Sequence, residues 1–362
     1  MAGDAPLVSF GLLSDVQYAD VDDGWNFHRT AQRFYRNALP QLHAAVGEWL
    51  RVASSAGADA APLAFAVNLG DLIDGKNKMV GTSQAAFERA MAAWAPFLAR
   101  VGPVHHLVGN HELYNFPPRE LHRQLLWWRR DATTSAASSS SDDDNDNDND
   151  NDNEDSALAT AAFYDFTVAA APRFRFIVLN CYGVSSLGRA ADDPVAREAT
   201  RRLRAVNPNA NLNSPDGLDG LAERFVEFNG AVDAAQLAWL ALTLARARAA
   251  AEHVVVFTHI PVHPATTHAS SLLWNYDEVL GAVFAAGCVR AVFSGHSHAD
   301  GYARERGVHF VVCDALLECA PHETAHGLVH VHGDRLVLQG YGKVPTRELR
   351  FPASEDAAAC DA

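Results

Sequence analysis

The chain has 362 residues, 48% of them hydrophobic, and a formal net charge of −15. That apolar content supports a sizeable core and excludes a chain disordered as a whole, and no basic stripe of the kind that tracks a nucleic-acid backbone is visible. Nine of the acidic residues fall within 142–155, and without them the balance is −6, an ordinary value.

The first ten residues, MAGDAPLVSF, lack a basic stretch followed by an apolar one, so no signal peptide is expected. The run LVSFGLL (7–13) reads as a buried strand. Asp15 and Gln17 follow it directly. Residues 28–53 show helical spacing. LAFAVNL (63–69) is a second strand, followed by Gly70-Asp71 and Asp74. A helical stretch at 84–100 leads to VHHLV (104–108), and that run ends in Gly109, Asn110, His111 and Glu112. His105 and His106, inside this run, are expected to be packing residues.

Residues 133–157 break the pattern with a Ser tract and then Asp/Asn repeats. Such a segment cannot bury enough apolar surface to offset its ordering entropy, so it is expected to be a disordered, solvated insertion. Strand-like segments resume after it, which makes it an interruption of one domain at 7–350 rather than a boundary. FRFIVLN (174–180) is the next strand, and 234–251 is helical. HVVVFT (253–258) ends in His259. A helix at 275–286 precedes VRAVF (289–293), which runs into Gly295, His296 and His298. The runs at 309–313, 327–333 and 335–340 lie close together, so the sheet is expected to be mixed toward the C-terminus. His330 and His332 share one strand face. Alternating strands and helices predict an α/β architecture. Five cysteines at 181, 288, 313, 319 and 360 form no C-x-x-C pair, and no apolar run approaches about 18 residues. A cytoplasmic, reducing location is the expectation, with no membrane span and no disulfide framework.

Five of the apolar runs therefore end in oxygen or nitrogen donors. Each alone is an ordinary turn. Together they point to one site, because loops beyond the carboxyl ends of strands in an open α/β sheet converge there.

The order D-x-Q, G-D-x-x-D, G-N-H-E, a later lone His and G-H-x-H resembles the calcineurin-like metallophosphoesterase superfamily. The resemblance implies a four-layer α/β/β/α sandwich with mixed sheets and a two-metal centre. By motif, Asp15, Gln17, Asp71 and His298 would hold one cation. Asp71, Asn110, His259 and His296 would hold the other, with Asp71 bridging. Mixed carboxylate, amide and imidazole donors suit Mn²⁺, Fe²⁺ or Zn²⁺ better than Ca²⁺. Mn²⁺ is the expected pair, with Mg²⁺ and Zn²⁺ as alternatives. The implied reaction is in-line attack on phosphorus by a bridging hydroxide. His111 is expected to neutralise transition-state charge or protonate the leaving oxygen. Asp74 and Glu112 are expected to orient ligands such as His111, and Gly70, Gly109 and Gly295 to let the backbone turn sharply.

Longer blocks narrow the resemblance: DGWNFHRTAQRFYRNAL (23–39), NPNANLNSPDGL (207–218), FVEFNGAVDAAQLAWL (225–240) and LLWNYDEVL (272–280). They are similar to the manganese-dependent ADP-ribose/CDP-alcohol diphosphatases, over roughly residues 7 to 350 apart from the insertion. The resemblance implies hydrolysis of ADP-ribose to AMP and ribose 5-phosphate. It also implies hydrolysis of CDP-choline, CDP-glycerol or CDP-ethanolamine to CMP and the phospho-alcohol. Asn110 and His111 would grip the reacting phosphate. Trp25, Phe27, Trp274 and Tyr276 offer aromatic faces for a base, Phe27 first among them because it follows the first donor loop. The expected partners are small nucleoside diphosphates, with no nucleic acid and no membrane, acting on a monomer. The rival readings are a cyclic nucleotide phosphodiesterase or phosphoprotein phosphatase of the same superfamily, and a catalytically dead scaffold on the same fold.

Overall fold

The computed structural model describes residues 5–26, 29–55, 61–125 and 162–352. Twelve of the fourteen strands among the described residues build two six-stranded sheets. The first runs β14-β13-β12-β1-β4-β5, from β1 (Val8–Leu13), β4 (Leu63–Asn68), β5 (Val104–His106), β12 (Ala325–Val331), β13 (Arg335–Gly342) and β14 (Arg347–Arg350). The second runs β10-β11-β9-β8-β7-β6, from β6 (Tyr164–Thr167), β7 (Phe174–Val178), β8 (His253–Phe257), β9 (Val289–Ser294), β10 (Gly301–Glu305) and β11 (Val308–Val312). A small hairpin pairs β2 (Gly24–Trp25) with β3 (Gln32–Arg33).

Both sheets are mixed. β1, β4 and β5 are parallel, as are β7, β8, β9 and β11, while the C-terminal strands β12, β13 and β14 pair antiparallel. Side chains alternate across each strand, and that alternation builds the layers. Phe10 on β1 turns inward, with ring centroids 5.9, 5.6 and 6.3 Å from those of Phe176, Phe257 and Phe293 on the opposite sheet. Its neighbour Gly11 turns outward onto Trp49, so closely that an added Cβ would sit 2.8 Å from the indole. Trp49 belongs to the helix Ala38–Ser55 and donates its N–H to the Gly327 carbonyl at 3.1 Å. The order is therefore helix, sheet, sheet, helix, with a phenylalanine-rich core between the sheets and a second apolar core under the helices.

The helix expected over 28–53 begins only at Ala38. Ahead of it β3 pairs with β2, and Asn26 Oδ1 accepts from the Thr30 and Ala31 amides at 2.8 and 3.3 Å. The stretch expected at 84–100 is two helices, Ser83–Ala92 and Ala95–Arg100, the second with Pro96 in its first turn. His105 packs flat on Phe166, and His106 lies edge-on to Trp94. His330 bonds Ser9 Oγ at 2.8 Å. Cys181, Cys288, Cys313 and Cys319 are buried free thiols. Among the described residues no helix is long and apolar enough to cross a membrane. The acidic insertion at 133–157, Phe27 and Cys360 lie outside the described residues.

Candidate metal centre

The parallel strands bring their carboxyl ends to one edge of the sandwich, where loops of both sheets touch. Asp15 N donates to the Gly70 carbonyl at 3.2 Å, Gly295 N to the His259 carbonyl at 2.9 Å, and His296 N to Asp15 Oδ2 at 2.9 Å. A Cβ on Gly109 would lie 2.0 Å from Asp71 Oδ1, and one on Gly295 would lie 1.8 Å from Ser14 Oγ. These two glycines serve close approach rather than a sharp turn. Gly70 does need the turn, at φ +108.

Asp15, Gln17, Asp71, Asn110 and His259 are buried, and His296 and His298 are nearly so. Their donor atoms fall into two groups. Atoms of Asp71, His259 and His296 lie within 4.8 Å of one another, and so do atoms of Asp15, Asp71 and His298, so Asp71 is common to both. Gln17 joins the second group, its Nε2 at 3.1 Å from Asp71 Oδ2 and 2.8 Å from His298 Nε2. Asn110 joins the first, its Oδ1 at 3.0 Å from His296 Nδ1 and 3.3 Å from His259 Nε2.

Three features fit this arrangement to a pair of cations. Each histidine gives its outer N–H to a fixed acceptor and turns its other nitrogen inward. His259 Nδ1 donates to the Leu69 carbonyl at 2.8 Å, His298 Nδ1 to Glu318 at 3.0 Å, and His296 Nε2 to Asn229 Oδ1 at 2.7 Å. That is how metal-binding imidazoles are oriented. Second, Asp15 Oδ1 and Gln17 Oε1 are buried with no hydrogen-bond partner, a costly state for groups with nothing to bind. Third, Asp15, Gln17, Asp71, His296 and His298 all have φ between +45 and +67, five of the eight non-glycine residues in that region among those described. Backbone strain of this kind concentrates at functional sites.

At the group of Asp71, His259 and His296 the electrostatics agree. Burial raises the Asp71 carboxyl well above its usual range, and the Glu112 and Asp15 charges push the same way against His111. Burial also lowers His259 and His296, leaving lone pairs for a Lewis acid. At the other group burial alone would raise Asp15, but the adjoining His298 outweighs it and holds the carboxyl low. Asp15 in turn carries His298 to about 9, against burial.

His111 stands beside the centre. Its backbone N–H donates to Asp71 Oδ1 at 2.8 Å, and its Nε2 lies 3.9 Å from Asp71 Oδ2. Its Nδ1 has two neighbours at 3.0 Å, the Gly75 N–H and Asp74 Oδ2. The buried Asp74 Oδ2 has no other partner, which favours a protonated Nδ1 directed at Asp74. Glu112 accepts from the amides of Gly109, Asp71 and Leu72 and so fixes the loop that carries Asp71.

Sequence reasoning did not find Asn229, Glu318, Tyr182 or Tyr114. Tyr182 Oη donates to Asn110 Oδ1 at 3.3 Å, and Asn110 Nδ2 donates to Tyr114 Oη at 3.3 Å, which sets the amide's orientation. Asn229 lies in the block 225–240 singled out above, the one signal that pointed to it. Of the aromatic candidates, Trp274 is a core residue, buried with its N–H on the Val226 carbonyl at 3.2 Å. Tyr276 is half-buried beside Arg224, and Trp25 is exposed. His263 is engaged by Glu305 at 2.9 Å.

A double sheet with this donor cluster at its strand ends defines a metal-dependent phosphoesterase. The family model for calcineurin-like phosphoesterases matches residues 8–300. The manganese-dependent ADP-ribose/CDP-alcohol diphosphatase of Bos taurus is 35% identical over 346 residues, 95% of this chain and 94% of its own. That of Oryza sativa subsp. japonica is 36% identical over 350 residues, covering 96% and 95%. The crystal structure of a dimetal phosphatase from Danio rerio superposes with a TM-score of 0.80 at 32% identity, covering 96% of this chain and 100% of that one. The chain belongs to the calcineurin-like phosphoesterase family and, within it, to the manganese-dependent ADP-ribose/CDP-alcohol diphosphatases.

Proposed function

We propose that this enzyme hydrolyses the diphosphate bond of small nucleoside diphosphate compounds, with two Mn²⁺ ions per chain. ADP-ribose gives AMP and ribose 5-phosphate, and CDP-choline, CDP-glycerol and CDP-ethanolamine give CMP and the phospho-alcohol. The observation that carries this reading is the pair of donor groups sharing Asp71, in a chain that matches diphosphatases of that name over nearly all its length. We take residues 7–350 as one catalytic domain, working as a cytoplasmic monomer.

Asp15, Gln17, Asp71 and His298 would hold one cation, and Asp71, Asn110, His259 and His296 the other. Gln17 would offer its unpartnered amide oxygen. Amide and carboxylate oxygens favour Mn²⁺ or Mg²⁺ over a thiolate-seeking metal. When bound, the cations supply Lewis-acid polarisation of the phosphoryl group and a nucleophile from water at neutral pH. The chain's own residues do the rest. Glu112 and the His111 amide lock Asp71 in place. Burial would lower the His111 ring, but Asp71 and Asp74 outweigh it and favour the imidazolium, whose Nε2–H, on the side away from Asp74, would pass its proton to the leaving oxygen. Asn110, fixed by Tyr182 and Tyr114, keeps its oxygen turned inward.

A substrate panel tests the reading. ADP-ribose and the CDP-alcohols should be turned over in Mn²⁺ with far higher kcat/KM than cyclic AMP or a phosphopeptide. Preferential hydrolysis of either of the last two would overturn it.

A further inference from the structure

Two elements carry the pair His111 and Asp74: the helix Asn110–Asn115 and the loop after β4. Asn115, the last residue of that helix, is 3% exposed and joins the two. Its Nδ2 donates to the His111 carbonyl at 2.7 Å and to the Asp74 carbonyl at 3.1 Å. Its Oδ1 accepts from Ser83 Oγ at 2.6 Å. Carbonyls only accept and the hydroxyl can donate, so one orientation of the amide satisfies all three partners. Ser83 opens the helix Ser83–Ala92, and Phe87 of that helix packs edge-on to Phe116, next after Asn115, with ring centroids 5.6 Å apart. Asn115 is thus itself held from outside the pair.

The loop has another tie at a different place. Glu112 accepts from the Asp71 and Leu72 amides and holds the shared carboxylate. Asn115 grips the chain further along, at Asp74. There the Lys76 amide donates to Oδ1 at 2.8 Å and leaves Oδ2 at 3.0 Å from His111 Nδ1. The two ties therefore serve two tasks. Glu112 acts on a metal-binding residue, and Asn115 acts on the ring that gives the proton. Proton transfer needs hydrogen-bond reach. A misplacement of about 1 Å costs on the order of 100-fold.

We infer that Asn115 is the positioning residue of His111. By holding both backbone carbonyls it sets the separation of ring and carboxylate, and with it the place where Nε2 meets the leaving oxygen. The inference rests on the proton-donor reading of His111 above: the bond from phosphorus to the leaving oxygen breaks, and that oxygen takes the Nε2 proton. Such a donor matters most for a poor leaving group, because a stable anion departs without a proton.

The test uses the p-nitrophenyl and phenyl esters of CMP, which share the attacked phosphoryl group and differ in the leaving group. Wild type, Asn115→Ala, Ser83→Ala and His111→Ala are compared. For Asn115→Ala, kcat on the phenyl ester should fall on the order of 100-fold. The fall on the p-nitrophenyl ester should be far smaller, and Mn²⁺ affinity by calorimetric titration should stay that of wild type. Ser83→Ala, which frees only the amide oxygen, should show the same selectivity at several-fold. Should Asn115→Ala not fold, Ser83→Ala decides: an ester ratio equal to that of wild type overturns the inference. Equal losses on the two esters for Asn115→Ala, or lost Mn²⁺ affinity, would make Asn115 a structural residue and overturn the inference alone, with His111→Ala still selective. Equal losses for His111→Ala would overturn the proton-donor reading, and this inference with it.

Discussion

Asn229 Oδ1 accepts the Nε2–H of His296 at 2.7 Å and thereby turns the other ring nitrogen into the donor cluster. The amide cannot rotate freely, because its Nδ2 donates to the Arg224 and Ser270 carbonyls at 3.0 and 2.8 Å. Asn229→Ala should therefore weaken metal binding by about 10- to 100-fold, the usual effect of removing such a support. Calorimetric titration with Mn²⁺ measures it. Unchanged affinity in a folded variant would mean that His296 needs no support.

His111 touches Asp71 but lies outside both donor groups. His111→Ala should lower kcat by on the order of 10²–10⁴ while metal content stays near that of wild type. Metal analysis of the purified variant decides it. Loss of the metals together with activity would make His111 part of the metal site rather than the proton donor.

Gln17 is the one amide in the Asp15 group, and a neutral amide is a weaker donor than an imidazole. Gln17→Ala should raise the Mn²⁺ concentration that gives half-maximal activity and leave the fold intact. Superimposable activation curves for the two proteins would remove Gln17 from the site.

His326 makes the fold sensitive to acid. It is buried against Trp49 and Tyr341, its Nε2 has no hydrogen-bond partner, and burial lowers it from 6.5 to about 4, with Glu48 pulling the other way. The unfolded chain takes up this proton below pH 6.5 and the folded chain only near 4. The ring's contribution is thus complete above pH 6.5 and is lost as the pH falls through that window. At 1.36 kcal/mol per unit the loss reaches about 3 kcal/mol. His326→Phe should flatten the fall in Tm between pH 6.5 and 4.5. Parallel curves for variant and wild type would refute the assignment.

Much of this was legible in the sequence, for physical reasons. Strands buried on both faces must be continuously apolar, so β1, β4, β7, β8 and β9 announced themselves, and the polar residues after them marked the strand ends. The donors themselves occupy such positions. What was not legible acts through the third dimension. Asn229 sits in an irregular loop and Glu318 in the single 3-10 turn Leu316–Glu318, neither long enough to show a periodicity, and only folding brings them to the outer nitrogens of His296 and His298. The same limit explains the misplaced start of the first helix. The run from 28 carries helical spacing, yet the Asn26 side chain accepts from the Thr30 and Ala31 amides and β3 pairs with β2. Trp274 looked like a base platform, but it fills a core with Val184, Ala199 and Leu203.

The most direct test of the two-cation centre is an anomalous difference map from crystals grown with Mn²⁺. Two peaks should appear on either side of the Asp71 carboxylate, about 3.5–4 Å apart. One should lie against Asp15, Gln17 and His298, and the other against Asn110, His259 and His296. A single peak, or peaks that Asp71 does not bridge, would contradict the account.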